Sequence, residues 1–478
     1  MREIIEKLEE CESQSRNLIR QGAIGQLEPV LRQWEGLLKD GKGFREASPD
    51  YCYYSMVFYQ INGALYDNAG QLAARLENYQ RAWADAKGFA EQILQENAEQ
   101  AEERYLIMAL NSGNFLRDIC GILGAADKKQ GLGAAETAAA LYDWMWPVLN
   151  ETAAKAAPEI HMNGFYMNLE LGQLSAALAH GKAAEEEYRT LAARTGNPRY
   201  FCEGRKVQMA ALLQKYVYTK EGIEEIEQCL EELKRLETHE ELICRMFAFS
   251  VSAMAYAALG TDADEKKQEK QAEMFLSLCC RKAEEAMRLF EENPIEGETS
   301  LPRETSLYYL TGITLLGQFY CRHKRLAEAQ ELYRKALALI EQSKNALPPL
   351  ALLKLRAKIF LEMGNMAERL EGDRTQAGFY YSQAAGLAQE ALKSGLDGEA
   401  LQTAVLGLYG AVAIKKESNP QEAVRYGKQG LELLKQLENS GLPGWSSREL
   451  NSLRKEFQGA AAEKKRGGFL SGLFGGKR

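Results

Sequence analysis

The stretch that decides the fold runs from Leu310 to Ile340 and reads LTGITLLGQFYCRHKRLAEAQELYRKALALI. In its first half, a large residue, a Leu-Gly pair and a tyrosine follow one another at intervals of three residues. In its second half, a small, an aromatic and a small residue follow at intervals of four and three residues, which is the spacing of one face of a helix. Small residues let two antiparallel helices approach closely, so Gly317 and Ala329 are expected to face each other where the helices cross. Tyr320 and Tyr333 are expected to fill the gaps between neighbouring helix pairs. The positions that carry the pattern are Ile313, Leu316, Gly317, Tyr320, Ala329, Tyr333 and Ala336.

At these positions the chain resembles the tetratricopeptide repeat (TPR) family. The resemblance implies stacked helix pairs whose first helices line a binding surface. Leu171-Gly172 precedes Ala184 by the spacing that separates Gly317 from Ala329, which supports the register. The repeats are longer than the minimal motif of about 34 residues, so the helices or loops must be longer too. The small-x3-aromatic step of the second helix recurs at Ala138/Tyr142, Ala184/Tyr188, Ala286/Phe290 and Ala377/Tyr381.

Composition supports an all-α fold. Among 478 residues only 11 are proline, helix-forming residues dominate, and alternating runs typical of strands are nearly absent. We therefore predict a right-handed superhelical solenoid of about seven to eight TPR-like helix pairs, with a C-terminal capping helix and a flexible amphipathic tail. The predicted segments are an N-terminal long-helix section (1–100), degenerate repeats (101–292), more regular repeats (303–440), a capping helix (446–463) that begins with a Ser446-x-x-Glu449 capping box, and a basic, apolar, Gly-rich tail (464–478).

Charge and cysteine content narrow the possible partners and the compartment. The net charge is −8, and an acidic chain lacks the basic surface that nucleic-acid binding requires, so we expect no nucleic-acid partner. The nine cysteines show no paired spacing, and the charged N-terminus has no apolar signal segment. These features favour reduced thiols in a cytoplasmic protein.

Motifs for catalysis are missing from the sequence. No phosphate-binding loop, dinucleotide fingerprint or nucleophile elbow occurs. The four histidines, His161, His180, His239 and His323, are far apart in the sequence and lack metal-binding spacing. We therefore expect no catalytic residue, no metal site, no cofactor and no enzyme activity.

The repeat register predicts a polar, cationic groove on the first helices of the C-terminal repeats. This groove resembles the carboxylate-binding clamp of TPR cochaperones, which implies a partner with an acidic segment or a C-terminal carboxylate. The alternative is a set of solvated helix charges balanced by nearby acids such as Glu368 and Glu417. The predicted groove residues are Thr314, Gln318, Arg322, Lys358, Asn365, Arg369, Lys415 and Lys416.

A second resemblance lies near the N-terminus. The segment PDYCYYSMVFYQINGALYDN (49–68), with Tyr53-Tyr54-Ser55-Met56 and an aromatic helix, loosely resembles the helical region of the Rap-type peptide-regulated proteins of Gram-positive bacteria. The resemblance implies a peptide-binding regulatory receptor, whereas ordinary core packing would explain the same residues.

The tail KKRGGFLSGLFGGKR (464–478) combines an apolar face with flanking cations. On a helix its four large apolar residues share one side, and it resembles the MinD-type membrane-targeting helix of bacterial cell division. This implies a bacterial protein that contacts an anionic membrane at the inner face, although a docking peptide or a solubility tail fits the composition as well. The tail residues are Lys464, Lys465, Arg466, Phe469, Leu470, Leu473, Phe474, Lys477 and Arg478.

Together these patterns predict a non-enzymatic scaffold or adaptor. It would bind an extended or acidic segment of a partner protein in its concave groove and be recruited to the membrane by its tail. A Rap-like peptide-binding regulatory receptor is the alternative.

Overall fold

The computed structural model describes residues 1–295, 300–343, 347–393, 398–439 and 446–462, with the side chains of residues 370, 371 and 439 excepted. No strand occurs in these ranges, which confirms the all-α prediction. In chain order the α-helices are α1 (Arg2–Arg20), α2 (Leu27–Asp40), α3 (Pro49–Asn68), α4 (Leu72–Ile93), α5 (Glu103–Ala126), α6 (Lys128–Met145), α7 (Glu151–Ala154), α8 (Ala156–Glu170), α9 (Leu174–Thr195), α10 (Pro198–Thr219), α11 (Ile223–Leu236), α12 (Leu242–Glu265), α13 (Glu269–Glu292), α14 (Ser300–Arg322), α15 (Leu326–Ser343), α16 (Pro349–Met366), α17 (Arg374–Leu392), α18 (Gly398–Ser418), α19 (Pro420–Asn439) and α20 (Ser447–Ala462).

The helices form two compact units, residues 1–231 and 232–478. In the N-terminal unit, α3 packs on α4, α5 on α6, and α8 on α9. Trp34, Phe89 and Tyr142 are among the largest side chains that are fully buried there. Burial of apolar side chains, these aromatic ones among them, is the main favourable contribution to the stability of this unit.

The C-terminal unit repeats one arrangement along the chain. Its helix pairs are α12 with α13, α14 with α15, α16 with α17, and α18 with α19, and α20 packs on α18 and α19. The first helices of successive pairs also contact each other, from α12 through α14, α16 and α18 to α20. This unit is therefore a stack of helix pairs, as predicted from residues 310–340.

In several helix pairs a glycine of the first helix lies against a side chain of the second helix. A Cβ atom on Gly317 would lie 2.6 Å from Cε1 of Tyr333, so only glycine lets the ring come this close. The nearest atoms belong to Tyr333 and not to Ala329, which corrects the predicted contact. Tyr333 likewise fills a space within its own helix pair. The same close approach, with the same sixteen-residue spacing, joins Gly63 to Tyr79, Gly164 to His180 and Gly260 to Leu276.

One helix pair departs from this spacing by a single residue. Gly364 lies against Tyr381, with its Cβ position 2.7 Å from Cδ1 of the ring. Between them the chain forms a π-helical turn at Ala367–Glu371, which accommodates one extra residue without moving the ring. The contact between glycine and ring is therefore kept although the sequence interval changes.

The predicted register at Leu171-Gly172 is wrong. Gly172 has a φ of +72° and lies in the turn between α8 and α9, not inside a first helix. The amide of Gln173 donates to the carbonyl of Asn168 at 2.8 Å, as in a helix end closed by a left-handed glycine. Gly164, inside α8, holds the position equivalent to Gly317.

Helix α20 carries a feature that the sequence predicted. At the start of α20, the amide of Glu449 donates to Ser446 Oγ at 3.2 Å and the amide of Ser446 donates to Glu449 Oε2 at 2.8 Å, which confirms the capping box.

Among the described residues, α12 is the one helix long and apolar enough to span a membrane. In the fold, however, 56% of its most apolar window is buried, and Thr305 donates to its Ser250 at 2.9 Å.

Candidate functional site

Four of the eight predicted groove residues, Gln318, Arg322, Lys358 and Lys416, link neighbouring helices of the C-terminal unit. Gln318 of α14 donates to Glu362 of α16 at 3.2 Å. Lys358 of α16 pairs with Glu399 of α18 at 3.3 Å. These bridges lie between neighbouring helix pairs, so the polar groups are bound to the chain itself.

The same pattern continues at both ends of this unit. Arg322 of α14 pairs with Asp264 of α12, and Lys416 of α18 pairs with Glu456 of α20 at 2.5 Å. We call these four bridges, from α12 to α20, the inter-repeat ladder. A ladder of this kind sets the register of adjacent helix pairs but leaves few free cations for a partner's carboxylate.

The remaining predicted groove residues have other environments. Thr314 is 1% exposed, and its hydroxyl donates to the carbonyl of Leu310 at 2.7 Å, so its assignment to a binding surface is wrong. Asn365 accepts a hydrogen bond from Tyr381 at 3.1 Å. Lys415 pairs with Glu422 at 3.0 Å, while Arg369 is exposed.

The acids named as alternative partners are bonded elsewhere. Glu368 accepts from the hydroxyl of Tyr381 at 2.7 Å, and Glu417 pairs with Arg374 at 2.7 Å. The predicted groove residues lie on first helices, except for Arg369 in the π-helical turn after α16. The sequence alone did not show which of them are buried or paired. It could not identify the acids that pair with them, because these lie some forty residues away in the chain.

The remaining sequence predictions concern the aromatic helix near the N-terminus and the C-terminal tail. Tyr53, Tyr54, Ser55 and Met56 of α3 are buried, so core packing accounts for the residues behind the Rap-type resemblance. The tail lies outside the described residues. Its residues are Lys464, Lys465, Arg466, Phe469, Leu470, Leu473, Phe474, Lys477 and Arg478.

A polar cavity of about 450 Å³ opens in the N-terminal unit between α5, α6, α7 and α8. Asn114 and Arg117 of α5 line one side of it, and Lys155 and Glu159 line the other. The hydroxyl of Tyr142 donates to Asn114 Oδ1 at 2.9 Å, which orients the amide and leaves its NH2 group to donate. This size is typical of a ligand site, and the lining offers both amide and cationic donors.

A second polar group in the N-terminal unit brings together residues that the sequence treated as isolated. His161 of α8 is 3% exposed, and its Nε2 lies 3.0 Å from Oδ1 of Asp143 on α6. The same nitrogen lies 3.6 Å from Oε1 of Glu187 on α9. On the other side of the ring, the Nδ1 atoms of His161 and His180 are 3.1 Å apart. We call these four residues the histidine–carboxylate cluster.

Burial and charge act in opposite directions in this cluster. Burial raises the pKa of Glu187 to about 8, although His161 opposes the shift. Burial alone would lower the pKa of His161, but its hydrogen bond to Asp143 and the nearby Glu187 raise it overall. Burial and the neighbouring His161 lower the pKa of His180. His161 is therefore the more basic of the two rings.

A signal for this contact is present in the sequence. His180 follows Gly164 by the sixteen residues that separate Gly317 from Tyr333, so it takes the place of the aromatic ring in its helix pair. The repeat register did not predict this contact, because it placed Gly172 and not Gly164 at the position equivalent to Gly317. No local motif indicates Asp143 or Glu187, which join His161 only when three helices pack together.

The fold defines a helical-repeat protein with TPR-like helix pairs. No protein-family model matches the chain, and a search of curated proteins finds no relative. Among solved structures it is similar to the apo form of the quorum sensor NprR from B. thuringiensis, with 14% identity, a TM-score of 0.43, and 90% of this chain and 99% of that one covered. A Rap protein complexed with competence and sporulation factor matches with 14% identity and a TM-score of 0.39, over 91% and 99% of the two chains.

A dimer of human IFIT1 with PPP-AAAA is also similar, with 12% identity and a TM-score of 0.36 over 89% of this chain and 94% of that one. At such low identities and TM-scores the likeness concerns the helical-repeat fold and transfers no binding property.

Proposed function

We propose that the protein is a non-catalytic scaffold that binds an extended segment of a protein partner. The observation that carries the proposal is the polar cavity between α5 and α8, where Asn114, Arg117 and Lys155 present donors to one space. A side-chain amide fits the carbonyl groups of an extended backbone, and a guanidinium fits a carboxylate. The cations outnumber the single lining acid, Glu159, which favours an acidic segment.

This location differs from the groove predicted in the C-terminal unit. There, an acidic partner would have to displace Glu399 or Glu456 from ion pairs that already exist. In the N-terminal cavity, Lys155 is 49% exposed and lies 3.7 Å from its nearest acid, Glu151. Arg117 already pairs with the neighbouring Asp118 at 3.0 Å, so a ligand meets little competition at Lys155 and more at Arg117.

The test is selection of random peptides displayed on phage against the full-length protein, followed by measured affinities for the selected peptides. Replacement of Asn114 and Arg117 by alanine should weaken binding by about tenfold or more, since a hydrogen bond to a charged group contributes about 1.5–3 kcal/mol. Lys182→Ala is the matched control, because Lys182 is 77% exposed in the same unit and does not line the cavity. Equal affinity in both variants would reject the cavity as the site.

The same experiment separates the scaffold from the Rap-like alternative. A free short peptide that raises the melting temperature strongly would indicate a peptide-regulated receptor, because tight binding to the native state alone stabilises it. Peptides that bind weakly and are recognised mainly within a longer protein favour a scaffold.

We further propose that the tail recruits the protein to the cytoplasmic face of a bacterial membrane. Support comes from its sequence, in which Phe469, Leu470, Leu473 and Phe474 would share one face of a helix beside five cations. Each cation near an anionic surface contributes about 1 kcal/mol, so the attachment should be weak, reversible and sensitive to salt.

Liposome co-sedimentation tests this second proposal. The full chain should pellet with anionic vesicles at low salt, and a chain that ends at Glu463 should stay in the supernatant. Replacement of Leu470 and Leu473 by serine keeps every charge and serves as the matched control for pure electrostatic attraction. If the full chain stays in the supernatant with anionic vesicles, recruitment by the tail is rejected.

A further inference from the structure

The histidine–carboxylate cluster combines the donor atoms that a transition-metal ion requires. Asp143, His161 and Glu187 come from α6, α8 and α9, and their nearest ligand atoms all lie within 4.8 Å of one another. Imidazole nitrogens and carboxylate oxygens both bind zinc in proteins. The three helices bring these atoms together although 44 residues separate the outer two.

The spacing of these atoms is close to that of a bound ion. With metal–ligand distances of about 2.0–2.2 Å, two ligands of a tetrahedral ion lie about 3.4 Å apart. The observed separations from His161 Nε2 are 3.0 Å to Asp143 and 3.6 Å to Glu187. Small side-chain rotations would therefore suffice to close the site around an ion.

The buried carboxylate of Glu187 is an independent observation in favour of a bound cation. Its side chain is 9% exposed, and its Oε2 is buried without a hydrogen bond to any residue that the structure describes. A buried carboxylate oxygen without a donor costs free energy, so such groups usually have a partner. A cation held between Glu187 and His161 would provide one.

His180 completes the arrangement from the far side of the ring. Its Nδ1 lies 3.1 Å from Nδ1 of His161, and one of the two nitrogens must donate a proton to the other. If His161 donates, the lone pair of its Nε2 faces the two carboxylates. These groups repel each other unless a proton or a cation lies between them. Metal-binding histidines are commonly oriented by such a hydrogen bond at the second nitrogen.

The close approach of Gly164 explains why His180 can take this position. A Cβ atom on Gly164 would lie 2.8 Å from Nδ1 of His180. Asp143 is 58% exposed, which gives an ion a path from solvent and leaves room for water as a further ligand. The site is thus buried at Glu187 and open at Asp143.

We propose that Asp143, His161 and Glu187 bind a divalent transition-metal ion of the zinc class, with His180 as a positioning residue. Imidazole favours zinc and its neighbours over calcium and magnesium, which prefer oxygen ligands alone. The ion would connect α6 to the α8–α9 helix pair and so stabilise this part of the N-terminal unit.

The first test is titration of the chelator-treated full chain with Co2+, read by its visible spectrum, and with Zn2+, read by calorimetry. We expect a single equivalent to bind, with a cobalt spectrum that lacks a thiolate charge-transfer band. The absence of that band separates this site from the nine cysteines, of which seven are buried. No stoichiometric binding, or a thiolate band, would overturn the proposal.

Variants then assign the ligands. Glu187→Gln keeps the shape of the side chain and removes the charge, so it should weaken cobalt binding by at least about tenfold while the fold survives. His161→Gln should do the same, and circular dichroism verifies folding of each variant. The matched control is His239→Gln, because His239 is exposed and lies outside the cluster. Unchanged affinity in Glu187→Gln would refute the site even if His161→Gln does not fold.

The positioning role of His180 needs a readout other than stability. His180→Leu should weaken cobalt binding by about 10–100-fold and change the visible spectrum, because the ring of His161 loses its orienting hydrogen bond. His180→Asn can still accept a hydrogen bond and should restore part of the affinity. If both variants bind cobalt with the unchanged spectrum, His180 has no positioning role.

Discussion

The contact between Gly317 and Tyr333 makes a prediction that opposes helix propensity. Alanine is about 1 kcal/mol better than glycine inside a helix, so propensity alone makes Gly317→Ala stabilising. The new methyl group, however, would lie 2.6 Å from Cε1 and 3.0 Å from Cζ of Tyr333. Tyr333 is fully buried, so its ring has no free space to move into.

Overpacking of a buried site costs about 1–3 kcal/mol, which exceeds the gain from propensity. We therefore expect a net loss of about 1 kcal/mol or somewhat more for the helix pair α14–α15. Since 1.4 kcal/mol corresponds to a factor of ten, amide hydrogens of this pair should exchange about 5–10 times faster than in the parent protein.

Hydrogen exchange of the full chain, resolved by peptide, measures this effect. The matched control is Gly386→Ala in α17 of the same unit, where the added Cβ meets no atom within 4 Å. That change should slow exchange, because only the propensity gain remains. If Gly317→Ala slows exchange as Gly386→Ala does, the reasoning from close packing is refuted.

Three further predictions follow from the C-terminal unit. A double-mutant cycle on Lys416 and Glu456 should give a coupling free energy of about 0.2–1 kcal/mol, which should decrease with added salt because both groups are partly exposed. Urea unfolding of the four variants measures this coupling. A coupling that does not depend on salt would contradict the ion pair. Ser446→Ala should destabilise α20 by about 1 kcal/mol through loss of the cap, seen as faster exchange in α20 and not in α14. Burial raises the pKa of Glu362. The protein is therefore most stable below the ordinary glutamate pKa, and it loses this stability as pH rises through the raised pKa and Glu362 becomes charged. Glu362→Gln should therefore melt at a higher temperature than the parent at neutral pH and at the same temperature in acid; equal melting curves throughout the pH range would contradict this.

Local patterns predicted the helices well because helix formation depends on nearby residues. The small and aromatic positions of residues 310–340 identified α14 and α15, and Ser446-x-x-Glu449 identified the start of α20. The failure at Leu171-Gly172 has an equally local cause. A Leu-Gly pair fits both a helix interior and a helix end, and only the left-handed backbone of Gly172 distinguishes the two.

The candidate sites could not be predicted in the same way. The groove residues were identified as polar positions on first helices, but Lys358 and Lys416 meet acids that are about forty residues away in the chain. The cavity beside Asn114 and Arg117 needs four helices to form its walls. Pairing of distant side chains depends on tertiary packing, which the spacing within one helix does not contain.

By itself, the sequence determined the helical class, the repeat of helix pairs and the cap on the last described helix, since these follow from periodicity and short-range hydrogen bonds. Tertiary structure alone decided that Thr314 is buried and that three of the five predicted groove cations, Arg322, Lys358 and Lys416, are tied into the inter-repeat ladder. It also decided that His161 meets Asp143, Glu187 and His180. The physical reason is that burial and charge pairing depend on which helix faces pack together. In this chain those faces come from helices whose contacting residues are tens of positions apart.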